Sequence, residues 1–176
     1  MKTIGSISIT ALLAVAFAFT LLPPTEWKVA EGYSIRFSGK GTKGSFSDLV
    51  AFIFFDENSL ASSKISASIR ATTVSTGFGL KNDHARSETA LNVKQFPLIL
   101  FESTQIVKTN TGYEALGKLT LRDVSLDVRL PFTFERTGAE SALLKGQFVL
   151  QPKDYHITRS GTPETVTIEL VVPVKK

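Results

Sequence analysis

Lys81, Asn82, Asp83 and His84 stand consecutively in the one long stretch of this chain that lacks a regular two-residue period. A cation, an amide and an imidazole side by side suit hydrogen bonding or charge pairing with the polar head of a ligand; the alternative for His84 is to cap or anchor this irregular segment against the rest of the fold. They suit catalysis poorly. A hydrolytic triad can be drawn from Ser87, His84 and Asp83, but near-consecutive residues do not converge on one substrate atom, and no nucleophile elbow or zinc signature accompanies them. Asp48, Asp56 and Glu57 are explained by turn placement. The chain has no cysteine and only two histidines, His84 and His156. Thiolate nucleophiles, disulfides, thiolate metal sites and a histidine-rich metal centre are therefore excluded. The expectation is a protein that is not an enzyme, with no catalytic residue, metal or cofactor.

The elements that must position such a ligand site are strands. From Trp27 onward, short alternating runs are broken by Gly, Asn, Asp and Pro. In Val124 to Phe134, Val124, Leu126, Val128, Leu130, Phe132 and Phe134 share one face, which is the period of a half-buried strand and not of a helix. The same period recurs over 64–72, 113–121, 144–150 and 166–174, and Trp27–Ser38, Phe46–Phe55 and Leu98–Val107 complete about eight strands. Asn82 to Leu91 breaks the period, so a short helical insertion is expected over 82–91, with Asn82 or Asp83 as its cap. Closure into an eight-stranded antiparallel barrel removes the exposed edges. Trp27 and Tyr33 are expected to plug its bottom. The continuous apolar run 51–55 predicts a wall covered on both sides, by the lumen within and by the insertion or a second copy outside.

A barrel of that size is either just filled or holds one small ligand. The inward faces carry small residues, Ala67, Ala71, Ala115, Gly117 and Gly146, among the larger Ile69, Phe101, Leu119, Leu130, Phe132 and Phe148. These eleven residues are the candidate lumen lining. Either they leave a hollow, or their smallness accommodates bulky neighbours in a chain with 13 phenylalanines. Both interiors remain open at this point.

The chain has 176 residues, with 20 Lys plus Arg against 16 Asp plus Glu, a net charge of +4 that is scattered and not clustered. That distribution argues against a nucleic-acid partner. After Lys2 no charge occurs before Glu26, and Ala11 to Phe19 is unbroken apolar, with A-x-A sites at 14–16 and 16–18. Residues 1–24 therefore read as a signal peptide or an N-terminal anchor. As a helix, Ile4 to Leu22 would reach roughly 28 Å, near the thickness of a bilayer core, so anchoring to the inner membrane by residues 4–22 is the alternative to cleavage. Either way residues 25–176 form one exported domain.

The order of motifs across that domain resembles the YceI-like family. It runs from Trp27-Lys-Val and Tyr33-Ser-Ile-Arg-Phe37 through Gly44-Ser-Phe46 and Ile53-Phe-Phe-Asp56. The most specific part is Thr76-Gly77, Lys81 to Ser87, and Phe96-Pro97 to Phe101-Glu-Ser103. Tyr113 to Leu121, Val128 to Phe132, Gly146-Gln-Phe148 and Asp154-Tyr155 follow in order. The resemblance implies an all-β, lipocalin-like barrel in the periplasm that binds, carries or sequesters a long-chain isoprenoid or other lipid. Under it, Lys81, Asn82 and His84 would meet the headgroup at the mouth. Many members have Arg-Asp where this chain has Lys81-Asn82. The alternative function is a ligand-free periplasmic barrel serving as an interaction or stress module.

Overall fold

A computed structural model describes residues 25–176. The expected signal or anchor segment, 1–24, lies outside the described residues. Ten strands and one helix follow in chain order: β1 (Glu26–Val29), β2 (Ser34–Gly39), β3 (Thr42–Phe46), β4 (Leu49–Phe54), β5 (Lys64–Arg70), α1 (Gly79–Arg86), β6 (Leu98–Thr109), β7 (Gly112–Leu121), β8 (Val124–Arg136), β9 (Ser141–Leu150) and β10 (Val166–Lys175).

The ten strands make an eight-position barrel. β1 pairs with β4 on one side and with the end of β10 on the other, and β4 to β10 run round the wall as antiparallel neighbours with α1 inserted between β5 and β6. The single first strand expected over 27–38 is two. It breaks at Ala30–Tyr33, where Gly32 takes a φ of +86° that favours glycine. Beyond the break β2 pairs with the other half of β10, from Ser38↔Thr167 to Ser34↔Val171. β3 folds back on β2 and touches the remaining wall by one bridge, Ser45↔Ser75. The ring is thus fully laddered at the β1 end and split at the other.

The closed end is filled by aromatic rings. Trp27 is completely buried and donates its indole N–H to the Phe55 carbonyl at 3.0 Å. Phe134 meets Trp27 edge-on at 5.0 Å between centroids, and Phe55 lies 4.7 Å from Phe134, 5.6 Å from Phe132 and 4.9 Å from Tyr113. Such tilted and edge-to-face pairs add to the burial of each ring. Arg136 lies over Trp27 and is held by Glu57, its Nε donating to Oε2 at 3.0 Å. Tyr113 points its hydroxyl at the same carboxylate, and burial, then the Glu57 charge, push that phenol pKa up.

Several expectations change here. Phe132 faces inward, as its period demands, but belongs to this aromatic plug and not to a ligand lumen. Tyr33 is no bottom plug. Its hydroxyl accepts the Leu49 N–H at 3.1 Å and ties the split edge of the barrel together. Phe52 is 58% exposed and Val50 57%, so the outer side of the 51–55 run is bare instead of covered by the insertion. The helix begins at Gly79 and ends at Arg86, earlier at both ends than expected over 82–91. Neither Asn82 nor Asp83 caps it. The N-cap position is Phe78, and Asn82 sits inside the helix, its Oδ1 accepting the N–H and the hydroxyl of Thr76 at 2.7 and 2.8 Å.

Gly117 is inward-facing for a different reason from the one expected. A Cβ there would stand 2.3 Å from the Glu102 carbonyl oxygen and 2.7 Å from the Ser103 Cα. The β6–β7 register shifts between Ser103 and Gln105, and this irregularity presses the β6 backbone onto β7. Replacing Gly117 with alanine should therefore cost about 1–3 kcal/mol, the range for overpacking. A urea melt beside wild type reads this directly, and an unchanged midpoint would mean the two backbones stand further apart.

Candidate functional site: a half-hollow barrel

Above the aromatic plug the side chains of the wall leave a cavity. The cavity measures about 400 Å³ and is lined from every part of the wall. Its walls come from alternate residues of the strands, because successive side chains of a strand point to opposite faces. Ala51 of β4 lies directly across from Ala67 of β5, and Ala67 in turn from Phe101 of β6. Two adjacent alanines leave room that larger side chains would occupy. The hydrogen-bonded ladders hold the walls apart, so the space is not closed by collapse.

Seven of the eleven residues expected in the lumen line this cavity: Ala67, Ile69, Phe101, Ala115, Leu119, Leu130 and Phe148. The other four do not. Phe132 is in the plug, and Gly117 is pressed against β6. Gly146 faces inward, but Leu130 Cδ2 and the Pro131 carbonyl already stand 3.1 Å from where its Cβ would be. Ala71 is buried, yet β5 has ended at Arg70; Ala71 enters a 3₁₀ turn and donates its N–H to the Pro97 carbonyl at 2.9 Å. Other lining residues were not singled out from the sequence. Ile168, Leu170 and Val172 of β10 carried the required period, and Leu49, Ala51 and Ile53 were hidden in an apolar run without one.

The mouth lies where the ring is split. Three pieces frame it: the β2–β3 turn with Gly41 and Thr42, the insertion with Thr76, Lys81, His84 and Ala85, and the loop 157–163. Lys81, His84 and Ala85 fall on one side of α1 by their spacing, and that side faces the cavity. Of the expected headgroup residues, Lys81 and His84 are therefore at the mouth, whereas Asn82 turns away to hold Thr76. Arg159 is a cation at the rim that no sequence period marks; the loop carrying it is brought there by the fold alone. Lys81 and Arg159 are the charged lining residues. Everything deeper is uncharged.

The rim is tied across by Arg122. This residue adopts a φ of +58° in the β7–β8 turn and donates from Nη1 to the carbonyl of Ala90, in the insertion, at 2.9 Å, and to that of His156. Asp123 beside it meets His156 Nδ1 at 3.1 Å, and that hydrogen bond, more than any other contact, lowers the Asp123 pKa from its ordinary value.

A deep uncharged lumen with cations confined to its entrance fits an amphiphile whose tail goes in and whose head stays at the rim. Fold and cavity together define a lumen-bearing antiparallel barrel of the lipocalin-like kind. Residues 26–174 match the YceI-like domain, and the chain belongs to that family. It is 31% identical to the UPF0312 protein YE1254 of Yersinia enterocolitica over 98% of this chain and 93% of that relative. Among solved structures it is similar to Burkholderia cenocepacia BcnA, with a TM-score of 0.74 and 20% identity, covering 80% of this chain and 95% of that one. It is also similar to a polyisoprenoid-binding domain from Saccharophagus degradans, with a TM-score of 0.62 and 15% identity, covering 85% and 97%.

The geometry separates the three expected mouth residues by role. Asn82→Ala removes the one oxygen that accepts both the N–H and the hydroxyl of Thr76 and should cost about 1–2 kcal/mol. Lys81→Ala and His84→Ala should leave the melting temperature nearly unchanged and shift preference between charged and neutral lipids. Thermal melts of the three variants, with lipid-binding titrations, check the split; equal destabilisation by all three would give Lys81 and His84 a structural role instead.

Proposed function

We propose that this protein binds a long-chain isoprenoid or related lipid in the barrel lumen and carries or sequesters it, without catalysis, in the bacterial envelope. One observation carries the reading: the cavity of about 400 Å³ has no charged lining below its rim. That size lies within the range of small-molecule pockets, which are mostly apolar with a few polar groups to orient the ligand. Each methylene moved out of water contributes about 0.8 kcal/mol, so a tail of many such groups binds tightly without a specific polar site. The polyisoprenoid binding of the Saccharophagus degradans domain supports the same class of ligand here.

Organic extraction of the purified native protein, followed by mass spectrometry, should yield one lipid in near-stoichiometric amount. Ala67→Trp should cut the retained lipid several-fold while costing less than the about 1–3 kcal/mol of an overpacked core. An empty extract, or strong destabilisation by that substitution, would favour the ligand-free barrel. A second copy covering the bare Val50 and Phe52 face is a further partner, and a monomer in sedimentation rules it out.

We infer export from residues 1–24, with cleavage leaving a mature chain that begins between Phe17 and Glu26. Intact mass from envelope fractions should show that product; a full-length species in the membrane would establish the anchor at 4–22 instead.

A further inference from the structure

The lumen reading leaves one apolar feature unused. Phe78 is 67% exposed and Leu80 70%, more than any other large hydrophobic residue among those described. They precede and open α1, between Thr76 and Lys81, both of which line the mouth. Neither is a core residue of the insertion, whose cavity side is carried by Lys81, His84 and Ala85. Phe78 and Leu80 therefore project from the rim into solvent.

Cations surround them. Lys81 lies 5.5 Å from the centre of the Phe78 ring. Across the mouth the β2–β3 hairpin presents Lys40 and Lys43, both exposed, on either side of the lining residues Gly41 and Thr42. Arg159 completes the rim. Three acids stand nearby: Asp83, 3.6 Å from Arg86 on the same helix, the exposed Glu88, which lines a side pocket with Arg86, Lys94 and Arg159, and the exposed Glu164. The balance at the rim stays positive. A pair of protruding apolar side chains among lysines is the arrangement by which peripheral proteins insert shallowly into an anionic lipid surface, the apolar groups entering the interface and the cations meeting the headgroups.

We propose that the rim formed by Phe78, Leu80, Lys81, Lys40 and Lys43 docks the open end of the barrel on an anionic bilayer. The proposal rests on the lipid-binding reading for its purpose, since a water-insoluble cargo must be exchanged with a membrane, but its test does not. Docking mouth-first lets the tail pass between bilayer and lumen without crossing bulk water.

The test is flotation of the purified mature chain, beginning between Phe17 and Glu26 and so without the intact apolar segment 4–22, with phosphatidylcholine vesicles, pure or mixed with phosphatidylglycerol. Wild type should float with the mixed vesicles, less so at raised salt, because screening weakens contacts between exposed charges. Phe78→Ser and Leu80→Ser should each reduce binding roughly tenfold, the effect of burying a large part of one such side chain. Lys40→Ala with Lys43→Ala should remove the preference for phosphatidylglycerol. Both side chains being exposed, the Phe78→Ser/Leu80→Ser variant should keep its melting temperature and the lipid it was purified with, while transfer of that lipid to vesicles slows. Equal flotation of wild type and that variant overturns the proposal, as does a concentration-dependent dimer that the variant abolishes. A protein that floats as described yet extracts empty overturns the lumen ligand and leaves the docking intact.

Discussion

The whole molecule depends on how the sheet closes. Closure leaves no strand edge unpaired, but here the ladder is complete only where the short β1 bridges β4 and β10. β10 is long enough to serve two partners in succession, β1 near its end and β2 near its start. Because β2 continues into β3 and not into β4, the wall parts at that end. Everything functional follows from the parting: it needs a cover, and the segments that supply one also form an entrance.

The two ends of the interior meet different physical demands. At the laddered end the walls converge on Trp27, Phe55 and Phe134, whose mutual contacts and the Trp27–Phe55 hydrogen bond satisfy that space completely. Toward the split end the neighbouring strands β4 and β5 set Ala51 and Ala67 side by side, and the wall encloses a cavity. The filled and hollow interiors that composition alone leaves in competition are both present, one above the other. A cavity lined by apolar groups does not recruit ordered water, which needs two or more polar partners, so it favours an apolar occupant.

Much of this was legible in the chain, and the misreadings share a cause. β8 could be read position by position because one face of it meets solvent at every second residue. The break at Gly32 could not, since a run of alternating residues does not show where its partner strand ends. Small inward residues are ambiguous in the same way. Ala67 is small beside open space, whereas Gly117 is small because the backbone of β6 stands against it, and the irregularity at Ser103 that causes this belongs to another strand. At the mouth, Lys81 and His84 were found because polar types stand together in the one stretch without a period; that they share a side of one helix, and that Asn82 does not, depends on where the helix begins. Arg159 was missed because its place depends on a loop that only the finished fold brings round.

The aromatic floor also sets a measure. A tube sealed at one end has a fixed depth, and a chain entering from the rim can be enclosed only as far as Trp27 and Phe55 allow. Tails shorter than that depth leave part of the wall unmatched; longer ones must double back or leave their last segment outside. The barrel is in that sense a ruler, and its graduation lies in the bulk of the ring side chains at its base and not in anything near the opening.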